Sequence, residues 1–156
     1  MRKVICLSFI GIMVLSGCTK PEEESLGSGY NSEEATKRGD VVFTPSGIKN
    51  FNRFQDFLDN MKIHQKDKVR ITAYTKEGDP IFSDLDYDGK NIKYSHDSSN
   101  DKFGGDPSVF TNTCSKVITK ETVDNGIDYH LSDCVKAPED AIVELGEEPY
   151  LFTKNK

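Results

Sequence analysis

The chain is poor in the residues that most often carry chemistry. Its 156 residues include only three histidines and four cysteines. His64, His96 and His130 fall in separate segments. No GxSxG, HExxH or glycine-rich phosphate loop occurs, so no catalytic residue is assigned from motifs. No surplus of positive charge exists either: 20 Lys and Arg stand against 26 Asp and Glu, a formal net charge of -6. Nucleic acid and anionic lipid both need basic patches, so this balance argues against either as a partner. Nor is there an apolar run of the roughly 20 residues that a membrane-spanning helix requires.

What is present begins at the N-terminus. Residues 1–18, MRKVICLSFIGIMVLSGC, open with Arg2 and Lys3 and continue with an apolar stretch over residues 4–15. That is the length of a signal-peptide core and too short to span a bilayer. Leu15-Ser16-Gly17-Cys18 then matches a lipobox, in which small residues admit a peptidase and Cys18 receives the lipid. Residues 1–17 are read as a lipoprotein signal peptide, which places the mature protein at the cell membrane, lipid-anchored on its extracytoplasmic face. Loss of Arg2 and Lys3 takes the formal charge from -6 to -8. Membrane attachment therefore rests on acyl chains, several of which hold durably where one alone binds marginally. Residues 18–30 comprise the lipidated Cys18 and a stretch rich in Glu, Gly and Ser, read as a flexible acidic tether.

Cysteine usage agrees with export. Cys6 leaves with the signal and Cys18 carries lipid, so Cys114 and Cys134 remain as a pair. In an oxidising compartment such a pair forms a disulfide, worth roughly 3 kcal/mol in the chain-entropy model. Two isolated thiols shared with a metal are the alternative, without a CxxC spacing or a histidine at a ligand interval to favour it. Geometry adds a constraint. A two-residue turn at Asn125-Gly126 would set residues 116–118 near Cys134 and leave Cys114 about three positions beyond. The bond then needs a longer loop, a bulge or non-adjacent strands.

Residues 31–156 read as a single α+β domain. In NSEEATKRGD, Asn31 or Ser32 caps a short helix, Glu33 and Glu34 suit its start, Lys37 and Arg38 its end, and Gly39 the position after it. The strand Val41-Val42-Phe43 follows. A longer helix starts near Asn50, with Phe51, Phe54, Leu58 and Met61 on one face, a stripe expected to face the core. From Val69 the period becomes 2. Lys76-Glu77-Gly78 suits a three-residue hairpin loop that pairs Ala73 with Ile81 and Val69 with Leu85. Asp88-Gly89 suits a two-residue type I′ turn that pairs Leu85 with Ile92 and Asp84 with Lys93. Further strands are expected at residues 114–119, 127–131 and 150–152. The expected architecture is an antiparallel β-sheet of about six strands with one main helix packed on one face.

Two segments are candidates for binding. Asp84, Asp86, Asp88 and Gly89 spell the start of a calcium loop, but Ser95 stands where a bidentate Glu is needed, and strands flank it. Side chains two apart on a strand stand about 6.8 Å from each other, too far to share an ion. No metal and no cofactor are assigned. Residues 96–107, HDSSNDKFGGDP, form the longest stretch between expected strands, where recognition residues concentrate. Asp97, Asn100, Asp101, Phe103, Gly104 and Gly105 make it the candidate contact loop. Phe103 there either anchors a partner or tucks into the sheet edge and closes the core.

Four blocks, EEATKRGDVV, DKVRITAYTKEGDPI, YDGKNIKYSHD and DKFGG, carry a resemblance that runs from about Glu33 to Cys134. On them the chain resembles small Gram-positive lipoproteins of a domain-of-unknown-function family. The resemblance implies an exported lipoprotein with a paired-cysteine domain, and it transfers no catalytic or binding residue. The expected function is a non-catalytic, membrane-anchored domain that binds a protein or small ligand at the cell surface. The alternative is a small cell-envelope hydrolase whose site assembles from the Asp/Asn loop and a histidine.

Overall fold

A computed structural model describes residues 30–135 and 148–155. The signal peptide, Cys18 and all of the expected tether but its last residue lie outside the described residues. Among those described, two helices and nine strands form a six-stranded sheet, ordered β2-β1-β3-β4-β5-β6, and a three-stranded sheet, β7-β8-β9. The α+β class with one main helix is as the sequence pattern requires.

Helix α1 (Ser32–Arg38) is capped by Asn31, whose side-chain oxygen accepts the amides of Glu33 and Glu34. It ends at Gly39, φ 92°. Strand β1 (Val41–Thr44) turns back through β2 (Gly47–Lys49), and α2 (Phe51–Lys62) then crosses over to β3 (Asp67–Tyr74). The crossover makes β1 and β3 parallel, pairing Val41 with Ile71. The expected stripe of Phe51, Phe54, Leu58 and Met61 on α2 does face the core, and Phe57, which the stripe left out, is fully buried beside Phe54.

The meander shows both a register that the sequence discloses and one that it misleads. Between β3 and β4 (Pro80–Tyr87), Val69 pairs with Leu85 and Ala73 with Ile81. The Thr75 and Asp79 main chains close the loop, with Gly78 left-handed at φ 92°. Between β4 and β5 (Ile92–Asp97) the expected pairing is corrected. Leu85 pairs with Tyr94 and Asp84 with Ser95, while Lys93 stands opposite Asp86. The turn centres on Gly89 and Lys90, because Asp88 spends its carboxylate on the amides of Lys90 and Asn91 and its own amide on the Asn91 carbonyl. Gly89, at φ 101°, occupies the first central position, as in a type II′ turn. The slip is two residues, so every side chain keeps its face.

Strand β6 (Val109–Cys114) completes the first sheet against β5, and β7 (Lys116–Glu121) and β8 (Ile127–Ser132) form a hairpin in the second with β9 (Tyr150–Lys154). Cys114 thus ends β6 instead of opening β7. The Asn125 turn is a three-residue loop, closed by Thr122 and Gly126, with Asn125 at φ 60°. Cys114 and Cys134 are bonded, S–S 2.02 Å, joining the end of β6 to the residues after β8. The geometric tension is resolved by strands of different sheets.

Two apolar layers result. Helix α2 and the second sheet cover the face bearing Val41, Val69, Ile71, Leu85 and Tyr94. There Phe152 lies 4.5 Å from Phe43 and 4.9 Å from Phe54, ring to ring, which ties the second sheet to β1 and α2. Helix α1 covers the opposite face through Ala35, Val42 and Phe82. Tyr30, where the tether was expected to end, is buried in this second layer, edge-on to Phe82 at 5.5 Å.

Candidate functional site

The stretch after β5 is held at its base and open at its tip. Ser98 and Ser108 exchange main-chain and hydroxyl hydrogen bonds, which extend the β5–β6 ladder by one pair. The Lys102 amide donates to Asp79 Oδ2 across the β3–β4 loop at 3.1 Å. Asp101 Oδ1 accepts the Phe103 amide, and a Cβ at Gly104 would lie 1.9 Å from Asp101 Oδ2, so only glycine permits this approach. Gly105 follows with positive φ. Phe103 is 74 % exposed. Of its two expected placements, closure of the core is therefore overturned, because the loop turns the ring outward.

The remaining candidates divide between loop and strand. Asp97 and His96 belong to β5 on opposite faces, so they are not loop residues. Asp97 accepts the Ser99 amide, and the Asn100 side chain is half-buried with no hydrogen bond among the described residues. His96 turns toward the core face, where Nδ1 lies 3.4 Å from both Ser83 Oγ and Tyr94 OH, and its ring stacks on Phe110 at 5.0 Å. Burial pushes the His96 pKa down, opposed by the charge of Asp97. Burial also raises that of Tyr94. The loop carboxylates and a histidine are thus not brought together, and no group of three or more metal-ligating side chains occurs among the described residues.

Sequence reasoning missed a second feature, a charged cleft of about 610 Å³ on the α1 side of the sheet. It arises because strand alternation places Lys68 and Arg70 of β3, Asp86 and Asp84 of β4, and Lys93 and Ser95 of β5 on one face, in columns. Arg70 crosses to β4 and donates Nε and Nη2 to the two Asp84 oxygens at 2.6 and 2.7 Å. This pairing raises the Arg70 pKa. Its guanidinium also lies over Phe82, 5.2 Å from the ring centre. Lys68 pairs with Asp86 at 2.7 Å. Burial pushes the Asp67 carboxyl up, but Arg53, Asn60 and the Lys68 amide donate to it and hold it below the usual range.

At the inner end of the cleft, Asp40 is buried and its Oδ2 accepts the hydroxyls of Tyr30 and Thr72 at 2.7 and 2.6 Å. The Tyr74 hydroxyl donates to the Tyr30 carbonyl. Burial first, then the negative charge of Asp40, pushes Tyr74 up to about 12, and Tyr30 is raised further by its bond to the same carboxylate. The period-2 pattern could have disclosed the columns, since Lys68 and Arg70 alternate with Val69 and Ile71. Nothing local marks Asp40 as buried.

Comparison with known proteins adds one match. The family described as a domain of unknown function (DUF4362) matches residues 38–130, more than half of the chain. No curated protein and no solved structure matches.

Proposed function

The chain belongs to the DUF4362 family, and from that premise we propose a non-catalytic binding domain, held by lipid on Cys18 at the extracytoplasmic face of the membrane in the manner of Gram-positive lipoproteins. The anchoring reading is supported by the signal core and lipobox of residues 1–18 and by an acidic body that draws no membrane affinity from charge. The binding reading is carried by one observation. Phe103, a large apolar side chain, is exposed on a loop pinned at Ser98–Ser108 and at Asp79. An ordered aromatic at a loop tip is an anchor that costs little entropy to bury in a partner. A hydrolase assembled from the Asp/Asn loop and a histidine draws less support, since His96 faces Ser83 and Tyr94, away from that loop.

The test compares the mature protein with its Phe103→Ala variant as baits against cell-envelope extract. The expected result is an unchanged melting temperature with loss of the captured partner. Equal capture by both baits refutes the loop as the contact. Fractionation of Cys18→Ser in the same cells should find it unprocessed or released, and a processed, membrane-bound variant refutes the anchor.

A further inference from the structure

Arg38, Arg53, Lys68, Arg70 and Lys93 line the charged cleft with Asp40, Asp84 and Asp86, and two of the cations are neutralised from its rim, Arg38 by Glu34 and Arg53 by Asp67. Most of these charges are already paired inside the protein. Both Asp84 oxygens are taken by Arg70, and Asp86 is taken by Lys68. Asp40 is buried and accepts two hydroxyls. What is left over is a set of donors. Lys93 forms no ion pair, and Ser95 Oγ and Arg70 Nη1 make no hydrogen bond, among the described residues. Ser95 and Lys93 are successive residues of β5 on this face, and Ser95 shares a row with Asp84 and Arg70. Because the Arg70 guanidinium reaches across to β4, it stands one strand closer to Ser95 than its own backbone does, with strands about 4.8 Å apart.

We propose that Lys93, Ser95 and Arg70 form a subsite in this cleft for the phosphate group of a small soluble ligand. An ammonium, a hydroxyl and a guanidinium edge are the donors that a tetrahedral oxyanion engages through separate oxygens. Asp84 does not exclude the anion, since its charge is offset by the two-point contact with Arg70, which occupies both of its oxygens. The same contact, with Phe82 beneath, holds the guanidinium in one orientation, so little ordering is needed on binding. The site lies on β3 and β5 and is independent of Phe103, so either can fail alone.

The experiment titrates the purified mature chain with inorganic phosphate and with glycerol phosphate, followed by amide NMR shifts and calorimetry. Saturable one-to-one binding is expected, with the largest shifts at Lys93 and Ser95 and weakening as salt rises. Lys93→Gln removes one charge-assisted bond and should weaken binding about tenfold, Ser95→Ala less, and Lys93→Glu should abolish it. Lys76→Gln, at the distant β3–β4 loop, should change nothing. All these positions are exposed or half-buried, so the variants fold, and spectra report this directly. Absence of saturation at millimolar phosphate overturns the site, as does equal weakening by Lys76→Gln. Capture by anionic vesicles with no response to either soluble phosphate overturns the small-ligand assignment.

Discussion

Removing the carboxylate of Asp40 leaves the hydroxyls of Tyr30 and Thr72 buried with no acceptor at 2.7 and 2.6 Å. Asp40→Ala should therefore destabilise the domain by about 2 kcal/mol, the cost of stranding buried donors. Asp40→Asn, which keeps an acceptor oxygen, should cost less. Denaturant unfolding of both variants measures the difference, and equal losses would show that the hydroxyls find other partners. A second single-residue test falls on Gly89. Its φ of 101° is closed to β-branched side chains, and a Cβ there would stand 3.1 Å from the His64 carbonyl. Gly89→Val should cost about 1–3 kcal/mol by the same unfolding measurement. A loss under half of that would mean that the turn relaxes to another type. The two residues differ in what the sequence discloses. Gly89 is marked as a turn glycine by its Asp-Gly dipeptide, whereas Asp40 looks like any charged residue before a strand. Its burial depends on Tyr30 and Thr72, 10 and 32 positions away.

At the scale of elements, local chemistry is legible and long-range choice is not. Helix α2, the β3–β4 register and the cap of α1 each follow from contacts within about ten residues, and each is present as expected. The β4–β5 slip has a local cause that competes with the Asp-Gly signal: Asp88 bonds to two following amides and moves the turn one residue on. Strand β6 is not legible in the sequence because its exposed positions, Val109, Thr111 and Thr113, alternate with half-buried Phe110 and Asn112, a weak apolar pattern at a sheet edge. The division into two sheets could not be read at all, since it depends on where Cys114 ends and on what Cys134 meets. The disulfide spans 20 residues and joins the sheets at that point. Replacing Cys114 and Cys134 together by serine should lower stability by about 3 kcal/mol. Cys114 is itself buried, so the loss should exceed the entropic figure if serine finds no partner there. Unfolding under reducing and non-reducing conditions separates the two contributions, and an unchanged midpoint on reduction would refute the stabilising role.

For the whole molecule, titration limits stability on both sides of neutrality, through His96 on the acid side and through Tyr30, Tyr74 and Tyr94 on the alkaline side. His96 lies in the layer under the second sheet, and burial holds its pKa below the ordinary 6.5, against the pull of Asp97. The unfolded chain therefore takes up a proton first as pH falls, and the folded state loses stability from about 6.5 downward until His96 itself is charged. Tyr30 and Tyr74 lie in the α1 layer, where burial and Asp40 raise their pKa values above 10.0. Below that value both states are protonated and the stabilisation is intact. Above it the unfolded chain loses protons that the folded one keeps, and stability declines through about 12, where Tyr74 ionises. The lowered carboxyls of Asp67, Asp88 and Asp133 act in the His96 direction but at lower pH, beginning near 3.8. A stability profile should thus be flat between roughly 6.5 and 10 and fall on both sides. Each flank has its own assignment. Tyr74→Phe should soften the alkaline flank, to which Tyr94 still contributes from the other layer, and leave the acid one in place. His96→Gln should remove the shoulder just below 6.5 and leave the steeper loss below 3.8. Chemical denaturation of these two variants at closely spaced pH values is the measurement. If both variants shift the same flank, the layers titrate as one unit and the independence of the two cores is refuted.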